Sequence, residues 1–257
     1  MLYFNTALLI LICFIIVFII CIKRKNFSLI DIAWGLIMSI VGIYLIATQS
    51  LEIKNTISIA LIVIWGLRLS IYLFSRNWNK KEDYRYENIK SRFKSKNTLL
   101  EAFIKVFLLQ AVLLYIMMFM PTLSTTINHQ TDFYLFGLGI AVAIFGLIFE
   151  SISDYQLSQF KKEKTNKGKL MTSGLWSISR HPNYFGEIIF WWGIFISLFK
   201  NHYSLVGIIS PLLITLLINN ISGVPLLENK YKTRKDFVKY SNRVSRLVPF
   251  IGSKTIK

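Results

Sequence analysis

LYFNTALLILICFIIVFIICI, residues 2–22, is an apolar run with no charged side chain. A helix needs about 20 mostly apolar residues to cross the hydrocarbon core of a bilayer, so this run predicts a membrane-spanning helix. It lacks a basic stretch before its apolar core and a small-residue cleavage site before Lys23, so we expect a retained helix and not a cleaved signal peptide. Both cysteines, Cys13 and Cys21, lie inside it and act as small apolar residues.

The rest of the chain repeats this pattern. Its 257 residues are 54% hydrophobic and only 17% charged, a composition typical of membrane proteins. We therefore predict an all-α fold, a polytopic membrane helix bundle that forms a single membrane domain over residues 1–257. The seven predicted spans are 2–22, 29–49, 56–75, 99–120, 133–153, 185–200 and 203–222.

Basic residues are concentrated in alternate loops. Segments 23–28, 76–98, 154–184 and 223–257 hold 26 of the 30 Lys and Arg residues, whereas the intervening loops hold Lys54 and Lys200. The positive-inside rule then places the N-terminus outside and the C-terminus in the cytoplasm. We predict a cell-membrane protein whose site faces the cytoplasm. The net charge of +17 is spread between apolar runs and does not form one basic face, which argues against nucleic-acid binding.

The segment GLWSISRHPNYFGE, residues 174–187, opens the sixth predicted span. Pro182 suits the first turn of a helix, and the unpaired N–H groups of that turn attract anions. Arg180 and His181 add donors there, so the segment is a candidate phosphate site. A basic collar that binds lipid headgroups explains the same residues equally well.

Acidic residues at the edges of the spans indicate a polar cavity, because an unpaired charge buried in the membrane is costly. Glu150 and Asp154 are four residues apart on one helical face, with Lys161 two turns further on. That face could bind a nucleotide or only pair with arginines. Asp31 follows Ser28 at capping-box spacing, so it could simply cap the second span. Glu101 and Lys105, also four residues apart, are expected to pair.

Several kinds of site have no sequence support. The chain has no GxGxxG motif, phosphate-binding P-loop or GxSxG motif, and no cysteine or histidine spacing typical of zinc, so no metal site is predicted. His129 and His202 fall in short outer loops, where we expect them to be solvated.

Several motifs together resemble the membrane steroid 5-alpha-reductase-like family, in particular its bacterial DUF1295 branch. They occur in the same order over nearly the whole chain. The motifs are Asp31-x-x-Trp34-Gly35, Trp65-Gly66-Leu67-Arg68-Leu69, Glu82-Asp83-Tyr84-Arg85-Tyr86, Glu150 with Asp154-x-Gln156, Ser179 to Glu187, Trp191-Trp192-Gly193 and Ser222-Gly223-Val224-Pro225-x-x-Glu228.

This resemblance implies a seven-helix bundle whose cytoplasmic half binds NADPH, with a lipophilic substrate that enters from the surrounding membrane lipids. It implies hydride transfer to a lipophilic alkene or enone, assisted by a hydrogen-bond donor at the developing negative charge on oxygen. The cofactor-binding residues that it implies are Tyr72, Arg76, Asp154, Lys161, Arg180, His181, Asn183, Tyr184, Glu187 and Glu228.

The catalytic pair departs from the family pattern. The steroid enzymes hold the carbonyl with a Glu–Tyr pair, and the matching positions here are Asp31 and Trp65. A protonated aspartic acid in an apolar site could donate as glutamic acid does. An indole N–H could also donate, but it gives up its proton less readily than a phenol. The resemblance therefore implies the fold and the cofactor more strongly than it implies a steroid substrate.

Two alternatives stay open. Arg-His-Pro-Asn-Tyr, residues 180–184, is also similar to membrane isoprenylcysteine and phospholipid methyltransferases, which use S-adenosylmethionine. A lipid-binding or scaffold protein without catalysis is the second alternative. The reductase interpretation requires Asp31, Arg76, Asp154 and Asn183 to converge in one pocket. The sequence leaves the oligomeric state open.

Overall fold

Helices make up most of the part of the chain that the structure describes. A computed structural model describes residues 1–93 and 97–251, which contain no strand. The helices are α1 (Leu2–Arg24), α2 (Ile30–Thr48), α3 (Ile53–Asn77), α4 (Tyr84–Lys90), α5 (Thr98–Met117), α6 (Phe119–Thr126), α7 (Phe133–Lys162), α8 (Pro182–Ser197), α9 (Ile209–Leu216), α10 (Val224–Tyr231) and α11 (Lys235–Ser241). The predicted all-α, polytopic fold class is confirmed.

Six helical segments in the described residues are long and apolar enough to cross a membrane. They are Leu2–Arg24, Phe27–Thr48, Ile53–Asn77, Thr98–Met117, Phe133–Lys162 and His202–Tyr231. The predicted span 185–200 corresponds to α8, which has 16 residues and is shorter than a typical span. The count of seven is therefore not confirmed, and the orientation of the termini stays a prediction.

The chain divides into two compact units. The first comprises Met1–Asp132 and Leu198–Ser210. Its α2 and α3 pack closely at Gly35 and Gly66, where a side-chain Cβ on either glycine would overlap the carbonyl oxygen of the other. Helix–helix association in lipid depends on such close backbone approach. Met38 on α2 and Ile59 on α3 are fully buried.

The second unit comprises Phe133–Ser197 and Pro211–Lys257. Here α7 and α8 pack along small residues, and a Cβ on Gly186 would overlap the backbone of Glu150. Helix α7 continues to Lys162, well beyond the predicted span, so Glu150 and Asp154 lie on one continuous helix as the sequence indicates. Because α7 and α8 pack backbone to backbone, they position the polar residues at their ends.

The C-terminal segment, residues 232–251, packs against the rest of the second unit. Phe237, Tyr240 and Val244 form a buried cluster, with Leu170 and Tyr231 against it. The Tyr240 hydroxyl donates a hydrogen bond to the carbonyl oxygen of Trp176. Aromatic burial thus holds this otherwise basic segment against the loop that precedes α8.

Candidate functional site

A cavity of about 440 Å³ lies within the second unit. It lies among the end of α7, the loop that follows α7, α10 and the C-terminal segment. Its volume is within the range of small-molecule and cofactor sites. Four residues of the predicted cofactor site line it: Lys161, Arg180, His181 and Glu228.

Arg180 connects the cavity wall to the C-terminal segment. Its side chain is 5% exposed. Its Nε donates to Glu228 Oε1 over 2.7 Å, and its Nη1 donates to the carbonyl oxygens of Ser241 and Val244, each over 2.9 Å. The predicted helix start at Pro182 is confirmed. The Arg180 donors, however, bind other groups of the protein. Arg180 therefore acts first as a structural tie between the start of α8 and the C-terminal segment.

His181 is a neutral hydrogen-bonding group in this wall. It lies 3.2 Å, Nε2 to Oε1, from Glu228, and its ring stacks on Tyr184 with centroids 5.8 Å apart. Burial lowers the pKa of His181, although Glu228 acts in the opposite direction. A neutral imidazole beside a carboxylate carries its proton on the nitrogen that faces it. His181 therefore helps Arg180 to orient the Glu228 carboxylate.

The cavity lining carries more positive than negative charge. Its basic residues are Lys161, Lys167, Lys169, Arg180 and Arg234. Among the residues that the structure describes, Glu228 is the one acidic residue of the lining, and Arg180 and His181 contact its carboxylate. Aromatic side chains supply much of the remaining wall: Phe160, Trp176, Tyr231, Phe237 and Tyr240. Such a lining suits an anionic ligand that carries flat rings.

Asp154 and Asn183 meet where α7 and α8 pack together. Asn183 Nδ2 donates to Asp154 Oδ1 over 3.2 Å, and Asp154 is 4% exposed. Glu150, one turn earlier on α7, is also buried. Asp154 and Asn183 are thus brought together as expected, but neither lies in the cavity lining that the described residues define. Glu187 is half-buried on α8.

In the first unit, Asp31 is part of a partly buried ion pair. Arg85 Nη2 donates to Asp31 Oδ2 over 2.8 Å, and the Tyr86 hydroxyl donates to Asp31 Oδ1 over 2.5 Å. The capping role considered for Asp31 is wrong. Asn26 caps this turn instead, because its side chain accepts from the Ser28 N–H.

The Asp31 site extends into a directed hydrogen-bond chain. The Trp34 indole donates to Gln110 Oε1, and Gln110 Nε2 lies 3.4 Å from the Tyr86 hydroxyl, which donates to Asp31. An indole N–H can only donate, so the Trp34 contact fixes which end of the Gln110 amide is the acceptor. Each hydrogen bond of the chain is therefore donated in the direction of Asp31.

Asp31 is a hydrogen-bond acceptor in this chain, whereas the role considered from the sequence is that of a donor. Both of its carboxylate oxygens accept hydrogen bonds. Burial raises the pKa of Tyr86, and the Asp31 carboxylate raises it further, so Tyr86 keeps its proton. Burial lowers the pKa of Arg85, but Asp31 and Asp83 together raise it by more, so Arg85 stays charged.

The other predicted residues of the first unit lie on α3. Trp65 is 1% exposed. The Arg76 guanidinium lies 5.3 Å from the ring centroid of Tyr72, and Arg76 Nε donates to Asn77 Oδ1 over 3.0 Å. The pairing of Asp31 with Trp65, and the convergence of these residues with Asp154 and Asn183, stay predictions.

Comparison with known proteins identifies the family. Residues 17–244 match DUF1295, a family of proteins of unknown function. The chain belongs to the DUF1295 family. The branch indicated by the sequence motifs is thereby confirmed.

A second similarity is short. The DUF1295 chain is 44% identical over 46 residues to a probable O-methyltransferase, ustE, of Ustilaginoidea virens. The match covers 18% of this chain and 16% of that relative, so the chain spans far less than two thirds of the relative's length. No solved structure matches the chain.

Several residues that line the cavity of this DUF1295 protein were not predicted from the sequence. They come from the C-terminal segment and the loop after α7: Lys167, Lys169, Trp176, Tyr231, Arg234, Phe237 and Tyr240. A usable signal was present, because Tyr231, Phe237 and Tyr240 recur within an otherwise basic tail. Aromatic residues that recur in a polar segment indicate a surface that packs against another part of the protein or against a ligand.

Proposed function

We propose that this protein is a membrane-embedded, NADPH-dependent reductase of a lipophilic alkene or enone. The observation that carries the proposal is the cavity of the second unit, in which three lysines and an aromatic wall lie beside the Glu228 carboxylate, while Arg180 is paired with Glu228 and Arg234 with Asp236. Membership of the DUF1295 family does not by itself indicate an activity.

Electrostatics favours a dinucleotide in this cavity. NADPH carries several phosphate charges and two flat ring systems, which match the lysines and the aromatic wall. Lys161, Lys167 and Lys169 would bind phosphates, and Trp176 and Tyr240 would pack against a ring. S-adenosylmethionine carries a sulfonium, an ammonium and one carboxylate and is positively charged overall, so an excess of positive charge in the cavity opposes its binding.

The bound cofactor would supply a hydride. The chain's own residues bind it, exclude water and orient polar groups. Because Asp31 is an acceptor in a directed hydrogen-bond chain, we assign it the task of holding Tyr86 and Arg85 in place. Tyr86 gives its one hydroxyl proton to Asp31, whereas the Arg85 guanidinium keeps further N–H donors, of the kind needed where negative charge develops on a carbonyl oxygen.

Ligand-induced stabilisation of the purified protein in detergent tests the proposal. NADPH at 100 times its dissociation constant should raise the free energy of unfolding by about 2.7 kcal/mol. The double substitution Lys167→Gln with Lys169→Gln should weaken NADPH binding, because it removes two charges from the cavity lining. Lys239→Gln is the matched control, since Lys239 is exposed on α11 and does not line the cavity. Equal NADPH affinity of all three proteins would contradict the proposed site.

A second candidate function is S-adenosylmethionine-dependent methyl transfer. The short similarity to a probable O-methyltransferase favours it. Under this alternative S-adenosylmethionine would stabilise the protein while NADPH and NADH would not. That outcome would replace the reductase by the methyltransferase.

A further inference from the structure

A second cavity, of about 470 Å³, lies in the first unit at the opposite end of α2 from the Asp31 network. Its lining residues come from the turn before α3, the start of α3, the end of α6 with the loop after it, and Lys200. They are Ser50, Leu51, Glu52, Asn55, Thr125, Thr126, Ile127, Asn128, His129, Gln130 and Lys200. Since α2 and α3 are apolar enough to span a membrane, this polar cavity lies at the level where their ends reach water.

Asn55 provides a buried acceptor without a donor. The residue is 1% exposed, and its Nδ2 donates to the carbonyl oxygen of Ser124 over 3.1 Å. That bond fixes the orientation of the amide, because a carbonyl accepts only from the nitrogen end. Asn55 Oδ1 consequently has no hydrogen-bond partner among residues 1–93 and 97–251. A buried acceptor of this kind favours a ligand with a hydroxyl or N–H group.

Lys200 is the one lysine in the described cavity lining, and Lys54, which lies outside that lining, pairs with the Glu52 carboxylate. Lys200 Nζ donates to the carbonyl oxygen of Ile127 over 3.0 Å, and Lys54 Nζ donates to that of Thr131 over 2.6 Å. One carboxylate, Glu52, lies 3.7 Å from Lys54 Nζ. Burial lowers the pKa of Lys200, with Glu52 acting in the opposite direction, so an additional anion would favour its charged form.

We propose that this cavity binds a glycerophosphate group, in which the phosphate meets the Lys200 ammonium and a glycerol hydroxyl donates to Asn55 Oδ1. The backbone carbonyl oxygen of Ile127 holds the Lys200 ammonium in place before a ligand binds, which lowers the entropic cost of binding. The same chemistry has two sources, the headgroup of a phosphatidylglycerol lipid and soluble glycerol phosphate. The inference does not depend on the proposed reductase activity.

Native mass spectrometry of the full-length protein tests this site with two lipids of equal charge. Phosphatidylglycerol carries glycerol hydroxyls, and phosphatidylmethanol has none. Wild-type protein should retain phosphatidylglycerol more strongly, because only that lipid satisfies Asn55. Lys200→Gln should weaken binding of both lipids about tenfold, as expected for the loss of one charge-assisted hydrogen bond. Lys23→Gln is the control, because exposed Lys23 lies beside the other end of α2.

Asn55→Leu separates the hydroxyl contribution from the charge contribution. It should abolish the preference for phosphatidylglycerol while leaving the affinity for phosphatidylmethanol unchanged. If this variant fails to fold because the Ser124 bond is lost, the comparison of the two lipids on wild-type protein still decides the question. Soluble glycerol phosphate identifies the source: competition at low concentration supports a soluble ligand, and retention of the lipid alone supports a headgroup site. Equal retention of both lipids by the wild type, or unchanged affinity in Lys200→Gln, would overturn the proposal.

Discussion

Replacement of Arg180 by methionine should release the C-terminal segment from the second unit. The substitution keeps an unbranched apolar stem but removes the donors to Glu228, Ser241 and Val244. Glu228, whose side chain is 12% exposed, would keep His181 at 3.2 Å and would lose its shortest contact. The two carbonyl oxygens would be left without the guanidinium that now binds both.

Removal of one partner from a buried ion pair costs about 3–5 kcal/mol. We expect the lower end, about 3 kcal/mol, because His181 and the more exposed Arg246, at 3.9 Å, still partly compensate Glu228. The cost falls on a local opening of the segment, which this guanidinium holds together with a small aromatic cluster and with hydrogen bonds such as that from Ser179 Oγ to the Leu247 carbonyl oxygen. A free-energy change of this size corresponds to roughly a hundredfold increase in the open population.

Hydrogen exchange of backbone amides measures this opening directly. The Val244 amide, which donates to the Tyr240 carbonyl over 3.0 Å, should exchange about a hundredfold faster in Arg180→Met. Amides in the middle of α7 serve as the internal reference and should not change. Arg180→Lys keeps the charge but lacks the planar fork, so we expect an intermediate rate. Unchanged protection of Val244 in Arg180→Met would refute the assignment of Arg180 as the tie.

Three further predictions concern substitutions of single residues in the two units. Tyr86→Phe should lower the free energy of unfolding by about 1.5–3 kcal/mol, because it removes a hydrogen bond to the charged Asp31; thermal unfolding in detergent measures this, and an unchanged midpoint would argue against the network. Burial lowers the pKa of His181 in the folded state, so the unfolded chain binds a proton first as the pH falls through about 6.5, and stability declines below that pH. His181→Gln should flatten this decline in unfolding measurements between about pH 7 and pH 5, and an identical profile would assign it to other groups. Asp31→Ala should leave NADPH affinity unchanged and remove turnover; full activity of Asp31→Ala would restrict Asp31 to a role in stability.

Local patterns in the sequence predicted several contacts because the partners are neighbours on one helix. Glu101 and Lys105 pair as expected, Nζ to Oε1 over 2.5 Å, since four residues make one turn. Pro182 begins α8 for an equally local reason. The partner of Asp31 was not predictable in this way. Arg85 and Tyr86 are more than fifty residues away from Asp31 in sequence. The motif that contains them shows which residue types are present but not which residue their side chains contact.

The amino-acid sequence alone determined that this is an all-helical, polytopic DUF1295 protein, because a bilayer admits few structures and each span must carry its own apolar residues and backbone hydrogen bonds. It also indicated Lys161, Arg180, His181 and Glu228, four residues that line one cavity. Only the tertiary structure decided that Arg180 binds the C-terminal segment, that Asp31 is an acceptor, and that Asn55 faces no donor within the described chain. These properties depend on atoms that lie far apart in sequence and meet only when helices pack, so no local periodicity or motif contains them.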